Sequence, residues 1–440
     1  MKIVHGLEEG RSLLRRQEWR PEAGPEALAR LSSLFGNKVG TEQAVGLIIQ
    51  DVRNRRDAAL LHYAKELDGV QLEELEVPRS QIKSARSRVD PKVMKALELA
   101  AERIRAFHQR QKREPWADLS EGHVGQVIRP LGKVGIYAPG GRATYPSTVL
   151  MTAVPAKVAG VPEVFLATPP QREGDIPALI LAAAETAGVD RLFRMGGAQA
   201  IAALAYGTES VPRVDKVCGP GNVFVTLAKK LVYGDVAIDG LQGPSEAMVV
   251  ADDTADPAFC AADLLAQAEH DIMASAILIT TSQELAARVN EEVERQLASF
   301  DGAASIASAL EGQGAVVVVG SLDEAVELVN EYAPEHLSLM VQDPWHLVPK
   351  VRNAGAIFLG SASSAALGDY MVGVNHVLPT GGTARFASPL GVEDFIVATN
   401  IVAMDPDAVA ELAQQAATIA EAEGLKAHAR AITIRLTRPL

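Results

Sequence analysis

The sequence predicts an α/β protein: two Rossmann-like units with parallel sheets, a small N-terminal arm and a helical C-terminal tail. Three observations predict it. Short apolar runs alternate with helix-period segments, the pattern of parallel strands covered by helices. The alternation comes in two runs, one over about residues 136–246 and one after it. Beyond a Gly-rich loop after Thr380, the chain ends in an Ala-rich helical pattern, A-V-A-E-L-A-Q-Q-A-A-T-I-A-E-A-E-G-L-K-A-H-A-R-A-I.

Residues 1–26 are charged and end in R-P-E-A-G-P, which reads as an arm and not as a core element. Residues 27–115 read mostly as helix, with apolar positions three and four apart in V-M-K-A-L-E-L-A-A-E-R-I-R-A-F-H-Q-R-Q. From Lys133 the texture changes. K-V-G-I-Y-A is a buried-strand pattern, P-G-G-R-A-T-Y-P-S a loop, T-V-L-M-T-A-V-P-A-K-V-A-G a helix and E-V-F-L-A-T a strand. The cycle repeats through a helix at 176–187, the strand R-L-F-R-M, a helix at 198–206, the strand V-D-K-V-C and the loop G-P-G-N opening another helix. The second run holds strands E-A-M-V-V-A-D, A-I-L-I-T, A-V-V-V-V-G, L-S-L-M-V and A-I-F-L-G. Helices at 258–269, 283–297 and 323–331 lie between the first four of these strands. The expected organisation is an arm (1–26), a discontinuous main α/β domain (27–135 and 247–389), a second α/β domain (136–246) and a helical tail (390–440). The helices before residue 133 are expected to join the second run.

With 440 residues, the chain has length for roughly three domains of ~150 residues. A net charge of −13 argues against nucleic-acid or anionic-membrane binding, since both need a basic face. No apolar run reaches about 18 residues, so no membrane span is expected. The start M-K-I-V-H-G-L-E-E-G reads as neither a secretory nor a transit peptide, and a cytoplasmic location is expected. Two cysteines, Cys218 and Cys260, are too few for a disulfide framework or metal finger.

Several constellations could carry chemistry. The strand-to-helix junctions A-P-G-G-R (138–142) and C-G-P-G-N (218–222) let backbone approach a phosphate. Neither is a full G-x-G-x-x-G with a ribose-binding acid downstream, so they read either as cofactor loops or as tight turns. Gln267 and His270, three apart at a helix end, read either as metal ligands or as capping and packing residues. Asp369 in G-D-Y-M-V-G-V-N-H-V-L-P-T reads either as a cap or as an oxygen ligand, and His376 lies in the same shaped loop. His428 lies in the tail, five residues after Glu423. Together Gln267, His270, Asp369 and His428 would form a mixed N/O set suited to Zn²⁺, Mn²⁺ or Co²⁺. In Y-A-P-E-H-L, Pro334 ends a helix, which leaves Glu335 and His336 on a helix-to-strand connection. They read either as a solvated loop or as an acid/base pair.

The ordered runs V-G-I-Y-A-P-G-G, G-G-A-Q-A-I-A-A-L-A-Y-G-T, G-P-G-N, G-P-S-E, Q-A-E-H-D, N-E-Y-A-P-E-H-L, G-D-Y with G-V-N-H-V-L-P-T, and E-A-E-G-L-K-A-H resemble the L-histidinol dehydrogenase family. The resemblance runs from about Lys133 to Ile434. It implies an NAD-dependent zinc enzyme that oxidises L-histidinol to L-histidine through the aldehyde. By motif position it implies Gln267, His270, Asp369 and His428 as zinc ligands, and Glu335 and His336 as acid/base residues. The zinc ligands and the acid/base pair would also touch substrate, together with Ser245 and Glu423. Tyr137, Gln199 and Asn222 would contact NAD in the 136–246 domain. It further implies a homodimer with shared sites, in which the tail carrying Glu423 and His428 reaches the partner. I-D-G-L-Q-G-P-S-E departs from the I-D-M-P-A-G-P-S-E form of many members. Related zinc dehydrogenases act on other small alcohols, such as sulfonated diols, and are the alternative reading.

Overall fold

The computed structural model describes residues 1–16, 22–36, 38–118, 124–140, 144–300 and 303–437. In chain order the strands are β1 (Lys2–His5), β2 (Trp116–Asp118), β3 (Val124–Pro130), β4 (Lys133–Tyr137), β5 (Glu163–Thr168), β6 (Arg191–Arg194), β7 (Lys216–Cys218), β8 (Ala237–Ile238), β9 (Glu246–Ala251), β10 (Ser275–Thr280), β11 (Gly314–Val318), β12 (His336–Met340), β13 (Ala356–Leu359) and β14 (Ile396–Val402). The chain forms two compact units. One comprises Met1–Gln111 and Leu131–Phe395, the other Lys112–Pro130 and Ile396–Leu440.

The first unit contains two parallel sheets. One has five strands in the order β6-β5-β4-β7-β8, the other six in the order β1-β11-β10-β9-β12-β13. Their central strands are buried almost throughout, as in the unbroken burial of β9. A parallel sheet with helices on both faces excludes water from both, so its strands are continuous apolar runs without alternation. The five-strand order is doubly wound, which opens a crevice beyond the carboxyl ends of β4 and its neighbours.

Three features differ from the sequence expectation. Residues 1–26, expected as an arm, instead begin with an edge strand: Lys2–His5 pair in parallel with Ala315–Val318. Helix Leu7–Leu13 then packs so closely that a Cβ on Gly10 would lie 2.6 Å from a Val317 methyl. Four residues of β1 are too few to show a period against their charged neighbours. Second, helices Thr41–Arg55 and Asp57–Glu66 pack on the five-stranded sheet and not on the second run. Val45, Ile48 and Ile49 of helix Thr41–Arg55, with Leu60 and Tyr63 of helix Asp57–Glu66, share a core with Phe165, Phe193 and Leu204. Periodicity revealed their apolar stripe, but any sheet face could have received it. Third, a helix at Ala303–Gln313 precedes β11, where no element was read.

The second unit pairs β14 antiparallel with β3, and β3 with β2. Helices Pro406–Ala422 and Lys426–Thr433 follow β14. The stretch expected as a helical tail therefore contributes a strand before it turns helical. Among the described residues no helix is long and apolar enough to cross a membrane.

Candidate active site

Y-A-P-E-H-L ends helix Leu322–Tyr332 and opens β12. Ser321 caps the helix start by accepting from the Glu324 N–H. At the other end Ala333 takes the left-handed region at φ 53. Pro334 sterically disfavours the right-handed helical region at the residue before it. A left-handed alanine costs about 1–2 kcal/mol, which the surrounding packing must hold in place. The reversal delivers Glu335 and His336 at the amino edge of the six-stranded sheet, 5% and 6% exposed. His336 lies beside Ala247 of β9 and Ala356 of β13. The pair is therefore a buried cluster at a strand start and not a solvated loop.

The main chain of Glu246 holds both side chains. Its N–H donates to Glu335 Oε2 at 2.9 Å, and its carbonyl lies 3.2 Å from His336 Nδ1. A proton on Nδ1 satisfies that carbonyl and leaves Nε2 as the working nitrogen, 3.4 Å from Asp369 Oδ1. Nδ1 also lies 3.7 Å from Glu335 Oε2, and the imidazole stacks on Phe358 with ring centroids 6.0 Å apart. Burial pushes the Glu335 carboxyl up to about 7, against the charge of His336. For His336 burial disfavours the charge, but Glu335 and Asp369 outweigh it and raise the imidazole to about 9. A carboxyl and an imidazole both shifted upward in one water-poor site suit proton transfer.

Glu246 is anchored in turn. Its carboxylate pairs with Arg16, whose Nη2 lies 2.7 Å from Oε2. The guanidinium also donates to the Tyr332 carbonyl at 2.9 Å and stacks 3.8 Å above the Tyr332 ring. Sequence reading missed Arg16 and the role of Glu246. Glu246 closes the run G-P-S-E and heads an apolar run, but neither feature points to Arg16.

Asp369 sits in a π-helical turn, Gly368–Val372, a geometry found often at functional sites. A Cβ on Gly368 would meet the Phe358 ring, and Gly373 takes φ 103 against the Arg103 carbonyl. His376 Nδ1 lies 3.0 Å from the Asp369 carbonyl and donates to it. Burial acts to raise the Asp369 carboxyl, but His336 and the histidines behind it hold it below its ordinary value. Gln267 is buried at the end of helix Pro257–Ala268, and its amide nitrogen has no partner among the described residues. His270 lies in the turn beyond that helix, exposed, and close enough for its charge to act on Asp369 and His376. Ser245 precedes Glu246 and is half-buried, its carbonyl accepting from Ser275. These residues share the first unit. Glu423 and His428 lie exposed on the second, separated by Gly424 at φ 76, which ends one helix and starts the next. Among the described residues no three His, Cys, Asp or Glu side chains form a metal cluster on their own.

At the five-stranded sheet, the Tyr137 hydroxyl accepts from the Gly197 N–H at 3.2 Å. Gln199 is buried, and its side-chain oxygen has no partner among the described residues. Asn222 caps helix Val223–Val232 through the N–H groups of Phe224 and Val225. Gly219 takes φ 114, where a Cβ would run into the Tyr137 carbonyl. Gly141 and Arg142 of the other glycine junction lie outside the described residues. The departing stretch 238–246 is tied down locally: Gln242 Oε1 accepts from buried Lys229 at 2.7 Å, and Lys229 pairs with Asp239. Both cysteines are buried. Burial drives Cys218 well above its ordinary range and Cys260 to about 12, so neither is a ready nucleophile.

The histidinol dehydrogenase family model matches residues 36–436. The histidinol dehydrogenase of Dehalococcoides mccartyi (strain CBDB1) is 50% identical, covering 99% of this chain and all of the relative. That of Syntrophotalea carbinolica is 51% identical over 401 residues, 90% of this chain and 93% of its own. The crystal structure of the Elizabethkingia anophelis histidinol dehydrogenase superposes with a TM-score of 0.91 at 35% identity, covering 99% of this chain and 98% of that one. With a family match across most of its length and relatives at half identity end to end, this chain belongs to the histidinol dehydrogenase family.

Proposed function

We propose that the protein oxidises L-histidinol to L-histidine through L-histidinaldehyde, with NAD as hydride acceptor and one Zn²⁺ per subunit, at the end of histidine biosynthesis in the cytoplasm. The observation that carries this reading is the buried Glu335–His336 pair, tied through one residue's main chain and facing Asp369. The metal fits the donors present. Asp369 is held ionised with His270 near enough to act on it, and buried Gln267 could offer its side-chain oxygen. This is a thiolate-free N/O set of the kind Zn²⁺ accepts. We further propose a homodimer in which His428 of one protomer completes the metal site of the other. Ser245 and the partner's Glu423 would help to hold the substrate. NAD would lie against Tyr137, Gln199 and Asn222.

Bound zinc would supply Lewis-acid anchoring for the substrate's amine and imidazole, and would take up the charge of Asp369 that now helps to keep His336 protonated. In the first oxidation His336 Nε2 takes the hydroxyl proton as hydride leaves the carbinol carbon. Glu335, held by the Glu246 N–H, then takes a proton from water, whose oxygen adds to the aldehyde carbon while protonated His336 returns its proton to the aldehyde oxygen, giving the hydrate and a neutral imidazole. In the second oxidation His336 accepts the hydroxyl proton of that hydrate as the second hydride leaves, giving the carboxylate. Positioned acid/base help of this kind contributes about 10² to 10⁴ in rate.

NADH formation from L-histidinol, with sulfonated diols and simple alcohols as controls, tests the reading. Two NADH formed per L-histidinol supports it. No NADH from L-histidinol, or faster turnover of a sulfonated diol, overturns it.

A further inference from the structure

A dinucleotide-binding unit of this topology normally carries an acid about 20 residues beyond its glycine loop, which accepts from the adenosine ribose 2′-hydroxyl. This chain has no such residue in place: β5 ends at Thr168 and runs into Pro169 and Pro170. Yet a cavity of about 410 Å³ opens there, lined by Gly140 after β4, Thr168 and Pro169 after β5, and Asp68. Asp68 comes from a different part of the chain. It follows helix Asp57–Glu66, which the shared core packs against the five-stranded sheet.

The Asp68 carboxylate is unusual for a structural acid. Its Oδ2 is buried and has no hydrogen-bond partner among the described residues. Its charge reaches the Tyr137 hydroxyl, which in turn accepts from Gly197. Burial raises this carboxyl to about 6, with Arg30 acting weakly the other way. An acceptor left orphaned beside a cavity costs stability unless a ligand brings a donor. Gln199 Oε1, a second orphaned acceptor, lies where a Cβ on Gly197 would meet it at 2.8 Å. Two unpartnered acceptors at one end of a sheet call for a hydroxyl-rich ligand. Arg172 also lines the cavity but is exposed, whereas the negative charge of Asp68, whose Oδ2 is buried, disfavours a phosphate in the same place.

We propose that Asp68 accepts from the adenosine ribose hydroxyls of NAD, replaces the missing fingerprint acid from outside the βαβ unit, and so selects NAD over its 2′-phosphorylated form. The inference rests on the reading of the protein as NAD-dependent. Glu173 also lines the cavity but is exposed, and it serves as the comparison.

The test is calorimetric titration of the full-length protein with NAD and with NADP, without substrate. Wild type is expected to bind NAD more tightly than NADP. Asp68→Asn should weaken NAD by about tenfold or more, the usual effect of losing a hydrogen bond to a charged group, and bring the two cofactors close to parity. Glu173→Gln should leave their ratio within about twofold. The melting temperature of unliganded Asp68→Asn should equal or exceed that of wild type, because a purely structural acid would lower it when neutralised. Unchanged NAD affinity and ratio in Asp68→Asn, an unfolded variant, or a ratio that collapses in Glu173→Gln instead would overturn the assignment. If wild type binds neither cofactor, the NAD-dependent reading fails along with it.

Discussion

Replacing Glu335 by Gln keeps the side-chain shape and leaves an amide oxygen for the Glu246 N–H, which now lies 2.9 Å from the carboxylate. What disappears is the ability to take a proton from water. The proposed base is the ionised form, and the folded carboxyl titrates at about 7, so activity is lost as pH falls through that value. One unit below that pKa about a tenth of the groups are ionised and one unit above about nine tenths, so water activation should rise nearly tenfold between about pH 6 and about pH 8, in addition to the rise from His336. An exposed glutamate would be ionised across this whole range. In Glu335→Gln the aldehyde step should fall by about 10² to 10⁴, and the remaining rate should lose the part of the rise due to Glu335 and keep the part due to His336. Alcohol oxidation should fall by less than about tenfold, because His336 keeps its Glu246 and Asp369 contacts. Single-turnover NADH formation from L-histidinol and from L-histidinaldehyde, each followed across pH, separates the steps. Equal losses in both, or an unchanged pH profile in the variant, would refute the assignment of water activation to Glu335.

Three other outcomes are expected. Asp369→Asn should lower zinc affinity by more than about tenfold, since even residues behind metal ligands cost that much, and metal analysis after dialysis measures it. Arg16→Met leaves the buried Glu246 carboxylate unpaired and should cost about 2 to 4 kcal/mol in urea denaturation, with kcat lowered for both oxidations; unchanged stability would remove the pair from the support of the site. Cys218→Ala should keep activity within about twofold and lose about 1 kcal/mol from a small core cavity; a loss of orders of magnitude in rate would point to a thiol nucleophile instead.

Much of this was legible in the chain. The strand–helix alternation predicted both parallel sheets, because burial on both faces imposes runs that composition alone reveals. Pro334 marked the helix stop ahead of Glu335 and His336, although the left-handed Ala333 behind that reversal shows only in three dimensions. Other features were not legible, for physical reasons. Arg16 and Glu246 stand 230 residues apart, and neither has a local pattern that announces a partner. The apolar stripe of helix Thr41–Arg55 is periodic, but periodicity does not say which sheet receives it, and that choice brings Asp68 to the cavity.

The sequence alone determined which residues could do chemistry, because side-chain type and helix or strand period are local properties. The tertiary structure decided which of them meet. It placed Glu335 and His336 on the main chain of Glu246 and drew Asp369 against His336. It also moved the titration of Glu335 and His336 through burial, which belongs to the packed chain and to no segment of it.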